Sequence, residues 1–560
     1  MLFLFSLTLW VDTTGVEGES LQTAIDSLAT VPGIDTVILR DGTYHLAINP
    51  DVNGIPQGLF LKDSLVLMSE NGAEKCTLSA YQSDTPATHV IVCDNGATSI
   101  WIKGFTIKDA CDYLFRKGFS RGSGIFADAS SPWIEDCIIE NNESYGIYAM
   151  NTPSGKEITL VNTIIQNNVG AIYARNASLF LKHTKITNNW REYTEVMVLD
   201  SSFITVFGGE ISDCKTWGGM IIDFSKTSGV FKQTVFYSNR NATPAGRLIS
   251  AYGSDLAFNH CIFAGNITGF HSDSSKITAE SLFVIDNGGV ATAASNWDTV
   301  EISYSDLLFN TYQADTEFYN NSLIPFNLEN NYWFYTDSSS IQSLIYGPAD
   351  FIPFADDFIS GLPSGPSYCS SFGNYYSDYT TPCDSVGQGD ILYLLFSGDD
   401  SDLHMREVVP VLIRSSCYPG GVVVTLLETD TSSGIYKGTA VPVERVDQGN
   451  IRTDDIFQKI GVNTSDTMFI KPLFFSSPEI AVVYNAPRMG VRREEICTVV
   501  CGDVLRLPFA IKNRNAVIYD VAGRERRVDV GERTLNLTGL PSGIYFLKYG
   551  EKSLKIVKVR

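Results

Sequence analysis

The chain has 560 residues, 44% of them hydrophobic and 12% aromatic, with 46 glycines and a net charge of −22. That length exceeds one compact core and points to roughly three units, with a composition leaning to β-structure and turns. The acidic balance excludes non-specific nucleic-acid binding, which needs a basic face to displace counterions, and disfavours an anionic membrane surface; neutral glycans, divalent cations and basic partners stay open.

The opening MLFLFSLTLW is apolar for about ten residues, against about 20 for a membrane-spanning helix. A Lys/Arg n-region and a small-residue cleavage site are missing, so residues 1–9 read as the remnant of a secretory signal with a truncated start. WVDTT (10–14) reads as a first strand, and no transmembrane segment is expected anywhere.

Further along, a short phrase keeps returning: FTIKDA (105–110), CIIENN (137–142), TIIQNN (163–168), TKITNN (184–189), GEISDC (209–214), TVFYSN (234–239), CIFAGN (261–266), LFVIDN (282–287) and SDLLFN (305–310). A period of this kind signals stacked supersecondary units. The third column (Ile107, Ile139, Ile165, Ile186, Ile211, Phe236, Phe263, Val284, Leu307) is always apolar and is predicted to face inward. The second admits Lys185, Glu210 and Asp306 and is predicted to face out, whereas the mostly small first column lies inward. Cys137 and Cys261 therefore read as core filler. The closing asparagines read as corner posts, tolerant of left-handed backbone and stacked so that each amide bonds to its neighbours.

These phrases, with RGSGIFADASSPWIEDCIIENN (121–142), resemble the right-handed parallel β-helix repeat proteins of the pectin-lyase-like superfamily. SLQTAIDSLATVPGIDTVILRDGTYHL (20–46) resembles that family's capping helix and first rung. NNYWFYTDSSSIQSLIYGPADFIPF (330–354) resembles its closing rung, with Tyr332 and Trp333 as plugs. The resemblance covers residues 10–355 and implies a groove on the outer face where polysaccharides are cleaved. The expected landmarks of such enzymes, NTD, GHG, RIK and Arg-x-Pro-x-x-Arg, are missing. Calcium, which lyases of this kind hold through acids, has no assignable ligands, and no cofactor is expected.

Two surface features are candidates for glycan contact. One is the polar column holding His183, Gln233 and His260, with Asp136 and Asn162. The other is a pair of excursions: 111–124, with Arg116 and Arg121, and 189–197, with Trp190, Arg191 and Glu192. No catalytic set is assigned.

Residues 356–386 read as a linker, in which Cys369 and Cys383 are candidates for a disulfide closing a ~15-residue loop. No cysteine spacing suits a zinc site, so no metal is expected. Short β-rich runs over 387–485 predict an immunoglobulin-like β-sandwich, and LLETDTSSGIYKGTA (426–440) resembles such modules in bacterial surface proteins. The pieces IYDVAGR, LNLTGLPSGIYFLKY and KIVKVR within 486–560 closely resemble the type A C-terminal sorting domain of the type IX secretion system, a further small β-sandwich. That resemblance implies the secretion and sorting machinery as a partner, and a place outside a Gram-negative cell or on its outer-membrane surface. The whole reads as an all-β, secreted, surface-anchored protein that contacts glycans or acts in adhesion. Its alternatives are a polysaccharide lyase or glycoside hydrolase, and a structural stalk.

Overall fold

Each rung turns three corners, and the backbone explains how. The computed structural model describes most of residues 8–484, but not 12–17, 29–33, 47–48, 51–55, 82–86, 112–121, 242–246, 311–316, 360–368, 400–405, 416–421, 445–458, 474–478 or shorter stretches of one to three residues; beyond 497 it describes strand backbone alone. Among the described residues, three parallel sheets run the length of a solenoid. Sheet 1 has 14 strands from Thr8–Val11 to Ala349–Asp350, sheet 2 has 11 from Gly42–His45 to Asp306–Leu308, and sheet 3 has 12 from Leu59–Leu61 to Ile345–Tyr346. A rung passes from sheet 3 to sheet 1 to sheet 2, as in Ser123–Asp128, Trp133–Glu135 and Ile138–Glu140.

All nine residues of the predicted inward column are buried, and so are Cys137 and Cys261, whose thiols burial pushes up to about 12. The asparagine ladder exists. Asn142 donates to Asn168 (2.8 Å) and Asn168 to Asn189 (3.1 Å); after the break at Cys214, Asn239 donates to Asn266 (2.9 Å), Asn266 to Asn287 (2.9 Å) and Asn287 to Asn310 (3.0 Å). The reason for asparagine differs from the one the sequence suggested. The left-handed residue is the one before it (Asn141 φ 54°, Asn167 φ 55°, Asn188 φ 51°, Ser238 φ 52°), and the ladder residue serves through its buried amide.

Both ends of the core are closed by side chains. The helix Gly18–Leu28 buries Leu21 and Ile25 in the solenoid core, and its Gln22 pairs with both backbone groups of Phe60 on the edge strand of sheet 3 (3.1 and 2.9 Å). This satisfies part of an otherwise open edge. At the far end Trp333 plugs the core beside Phe318, but Tyr332 points outward instead.

The outward second column holds only for the first half. From Glu210 onward it is covered. Val235, Ile262, Phe283 and Leu308 of sheet 2 pack against Val408, Val423 and Leu427 of a second unit. Arg406 from that unit clasps buried Glu210 through two bonds (3.1 and 3.0 Å), and Lys185 approaches it at 3.2 Å. Burial alone would push the Glu210 carboxyl up, but Arg406 and Lys185 outweigh it and hold it below the usual range.

That second unit corrects the sandwich expectation. In place of two facing sheets, its described strands form one mixed sheet of nine, curled over its own core of Leu394, Phe396, Val411, Leu426, Ile470 and Tyr484. The solenoid, rather than a second sheet, covers part of its other face. Cys369–Tyr375 and Ser385–Val386, inside the stretch read as a linker, belong to this mixed sheet. The Cys369–Cys383 disulfide is absent, and both thiols are free. Cys383 hydrogen-bonds the backbone of Asn374, five residues along the strand from Cys369, which at ~3.3 Å per residue is out of reach. Residues 497–559 supply strands of two further sheets, of five and three among the described residues.

Two predictions follow from the ladder and the junction. Asn266 accepts from the backbone and amide of Asn239 and donates to Phe236 and Asn287. Asn266→Ala should cost about 2–4 kcal/mol in chemical denaturation, whereas exposed Lys182→Ala should stay within about 0.5 kcal/mol. Asp306 lies at the junction, and burial, reinforced by Asp357, raises it to about 7. Between its unfolded value of 3.8 and about 7 the folded state holds the proton and the unfolded state does not, so its contribution is present below that window and lost as pH rises through it. Asp306→Asn should therefore flatten the fall in stability between pH 4 and pH 8, by roughly 2–4 kcal/mol.

Candidate functional site

Insertions mark where a solenoid is decorated, and the three corners differ. From Lys103 to Asp306 every corner between sheets 1 and 2 has two residues, the first left-handed: His183 φ 49°, Gln233 φ 50°, His260 φ 55°. The polar column predicted as a glycan contact thus coincides with a left-handed turn position, which disfavours β-branched side chains and which Gly104, Asn162, Ser281 and Tyr304 also fill. His183 does border a cavity of about 450 Å³ at the junction, together with Lys185, Glu210 and Arg406. Gln233 and His260 do not join it.

The corners between sheets 2 and 3 behave differently. Three consecutive ones, 188–196, 213–219 and 238–246, are long, and they carry the strands Trp190–Glu192, Lys215–Trp217 and Arg240–Asn241. These pair in parallel as a rim sheet, so the predicted loop at 189–197 is a wall built across three rungs. Alternation along its strands separates two residues the sequence had joined. Trp190 is 51% exposed, as is Trp217, whereas half-buried Arg191 lays its guanidinium over the ring of Tyr145 at 4.3 Å. Glu192 lies in the same rim strand, in register with Trp217. A Cβ at Gly170 would meet the Tyr145 ring at 2.6 Å and Arg191 at 2.9 Å, so glycine there leaves room for this stack. Arg116 and Arg121 lie outside the described residues.

Beside this wall, the outer face of sheet 3 forms a floor. One column reads Phe126, Tyr148, Tyr173, Val198, Asp223, Ser250, His271 in register. Its first part is an aromatic ladder: His89 stacks on Phe126 (4.6 Å), and Tyr148 stacks on Tyr173 (4.5 Å), with Tyr145 against both tyrosines. Its second part is ionisable. Burial, then Glu195 and Asp200, raises Asp223 to about 6. Asp200 itself pairs with Arg175 at 3.5 Å. Burial, then the charge of Arg247, lowers His271 to about 4, and its Nδ1 shares a 2.7 Å hydrogen bond with Thr292. His271 is therefore neutral near pH 7.

Chemically, the floor offers flat rings at one end and a protonatable carboxyl near ionic partners at the other. Sequence reasoning missed Asp223, Arg247 and His271. The usable signal was an acid inside the apolar strand MIIDFS, at the position where earlier rungs place Tyr148 and Tyr173. Among the described residues, no group of three or more His, Cys, Asp or Glu could hold a metal ion, and no helix is long and apolar enough to cross a membrane.

If the Arg191 stack holds the wall to the floor, Arg191→Ala should loosen it and Trp190→Ala should not. Hydrogen exchange at 188–196 should rise in the first variant and stay unchanged in the second.

Comparison with solved structures finds distant likenesses. The chain is similar to a mannuronan C-5 epimerase A-module from Azotobacter vinelandii (13% identity, 60% of this chain, 95% of that one, TM-score 0.29). It is also similar to tailspike protein 2 from the Escherichia coli O157:H7 bacteriophage CAB120 (12%, 84% and 66%, TM-score 0.39). A third likeness is to a pectate lyase (14%, 63% and 79%, TM-score 0.28). No curated protein matches the chain. A family model described as right handed beta helix region matches residues 56–190 and 123–307. That stretch is accordingly a right-handed β-helix, which supplies the hand of the parallel solenoid.

Proposed function

We propose that this is a secreted, surface-anchored β-helix protein that holds a polysaccharide along the outer face of sheet 3. The observation that carries this reading is the half-buried aromatic ladder Phe126–Tyr148–Tyr173 on the outer face of sheet 3, next to the rim wall. Solvated β-helix faces need polar residues, but they do not need stacked rings in register. Rings stacked face to face along the rung repeat turn their edges outward, so they form a rigid ridge of ring edges and phenolic oxygens along which a sugar chain can lie, with little ordering cost on binding. Export and anchoring rest on the apolar opening and on the sorting-domain likeness of 486–560.

Affinity electrophoresis in a panel of polysaccharides tests this. Tyr173→Ala should weaken retardation by about tenfold, and Trp190→Ala, on the far side of the wall, should have little effect. Equal retardation of parent and Tyr173→Ala would sink the reading.

A second reading, glycoside hydrolysis, is favoured by one observation: Asp223 is raised to about 6 while neighbouring Asp200 is paired with Arg175. Carboxyls in contrasting surroundings can divide acid and base roles. Asp223 would then donate its proton to the departing glycosidic oxygen, and activity would fall as pH rises above about 6. Release of reducing ends that disappears in Asp223→Asn, with binding retained, would establish it.

A further inference from the structure

We infer that sheet 1 carries a second saccharide site, built for a neutral oligosaccharide, in the groove floored by Trp101 and Trp133. The inference rests on the reading that this protein contacts glycans but concerns a different face. The groove encloses about 800 Å³, within the range of small-ligand sites.

Its walls are insertions in three consecutive rungs. The corner from sheet 3 to sheet 1 takes two residues in five consecutive rungs, at 176–177, 201–202, 226–227, 253–254 and 274–275. In the three rungs before them it takes 94–99, 129–132 and 151–157. All three long corners line the groove, through Ser99, Ser131 and the pair Lys156 and Glu157. Insertions clustered on one face of a solenoid commonly mark its binding face. Three of them in a row rise where the two tryptophans lie, and the same corner lengthens again only at 294–298 and 321–325, beyond the five short rungs.

The floor is held in place. Trp101 and Trp133 are register partners on adjacent strands, 39% and 45% exposed, with ring centroids 6.3 Å apart. Glu135 accepts from Trp133 Nε1 (3.2 Å) and pairs with Lys103 (2.7 Å), whose ammonium lies 5.7 Å from the Trp101 ring. One ion pair thus tethers both indoles before any ligand arrives, which lowers the ordering cost of binding.

The lining selects the ligand class. Two indoles offer flat apolar surface, and Ser99, Thr159 and Ser178 offer hydroxyls that both donate and accept. The two charges on the wall, Lys156 and Glu157, cancel. A sugar ring, with C–H groups on its faces and hydroxyls around its edge, meets both demands. An anionic chain gains nothing from a lining of zero net charge on a protein of −22.

The test is titration calorimetry of the full chain with cellohexaose, xylohexaose, mannohexaose and an oligogalacturonate. At least one neutral hexasaccharide should bind. Trp133→Ala should weaken it by about tenfold or more, while Tyr173→Ala changes it less than about twofold. Circular dichroism should show Trp133→Ala still folded, since the ring is exposed. Binding lost in Tyr173→Ala but kept in Trp133→Ala would overturn the second site and leave the sheet 3 reading standing. Preference for the oligogalacturonate, or no binding of any neutral hexasaccharide, would also overturn it. So would a dimer in sedimentation that Trp133→Ala dissociates, because a second copy would then be the occupant.

Discussion

Turning the chain through three corners per rung is the constraint on which the rest of this structure depends. A two-residue corner needs one residue with positive φ and a second whose side chain is driven inward. Asparagine, aspartate, serine, histidine or glycine meets the first demand at most corners. The second residue enters the core, where an unpaired polar atom would cost a few kcal/mol. The protein meets this by stacking like on like. Asparagine amides bond along one corner, and Ser202, Thr227, Ser254 and Ser275 pass hydrogen bonds along another. Each polar side chain is satisfied by the rung above or below, so no single rung is stable alone.

Because the corners carry this burden, the outer faces are free to diversify, and they do so unequally. Sheet 2 is closed off over its later rungs by the mixed sheet, through apolar packing and the Glu210–Arg406 clasp. Sheet 3 gains a wall from insertions at one corner, and sheet 1 gains one from insertions at another, in different rungs. The corner between sheets 1 and 2 admits none over most of the solenoid. Any insertion at its later rungs would stand against the docked mixed sheet, which gives a steric reason for the bare edge from Gly208 onward.

What the sequence made legible follows the same division. Inward columns repeat because the core is the same in every rung, so Ile107 to Leu307 and the ladder asparagines could be read from one period. Outward columns repeat only where something outside demands it. Lys185 and Glu210 share a column, yet one is half-exposed and the other buried, because docking of a distant segment decides which is covered. Asp223 was illegible for a second reason. The strands of sheet 3 follow insertions of variable length, so its alignment with Tyr173 through Val198 emerges only from the pairing. The likeness between WIKGFTI (101–107) and WIEDCII (133–139) was visible in the sequence, but the walls that turn two exposed indoles into a groove were not.

The placement of the two proposed sites bears on whether such a protein encloses a polymer or joins polymers. Sheets 1 and 3 meet at a corner, so their outer faces look in different directions, and a stiff glycan lying along one cannot bend onto the other within a few sugar units. Two sites that one chain cannot span act instead on two chains, and each then holds its ligand close to the other's. A processive or cleaving protein has no need of that arrangement. An adhesive one does, because weak contacts to separate strands add up only when a rigid body holds them apart. The solenoid is that body, and its rigidity comes from the same stacked corners that left the two faces free.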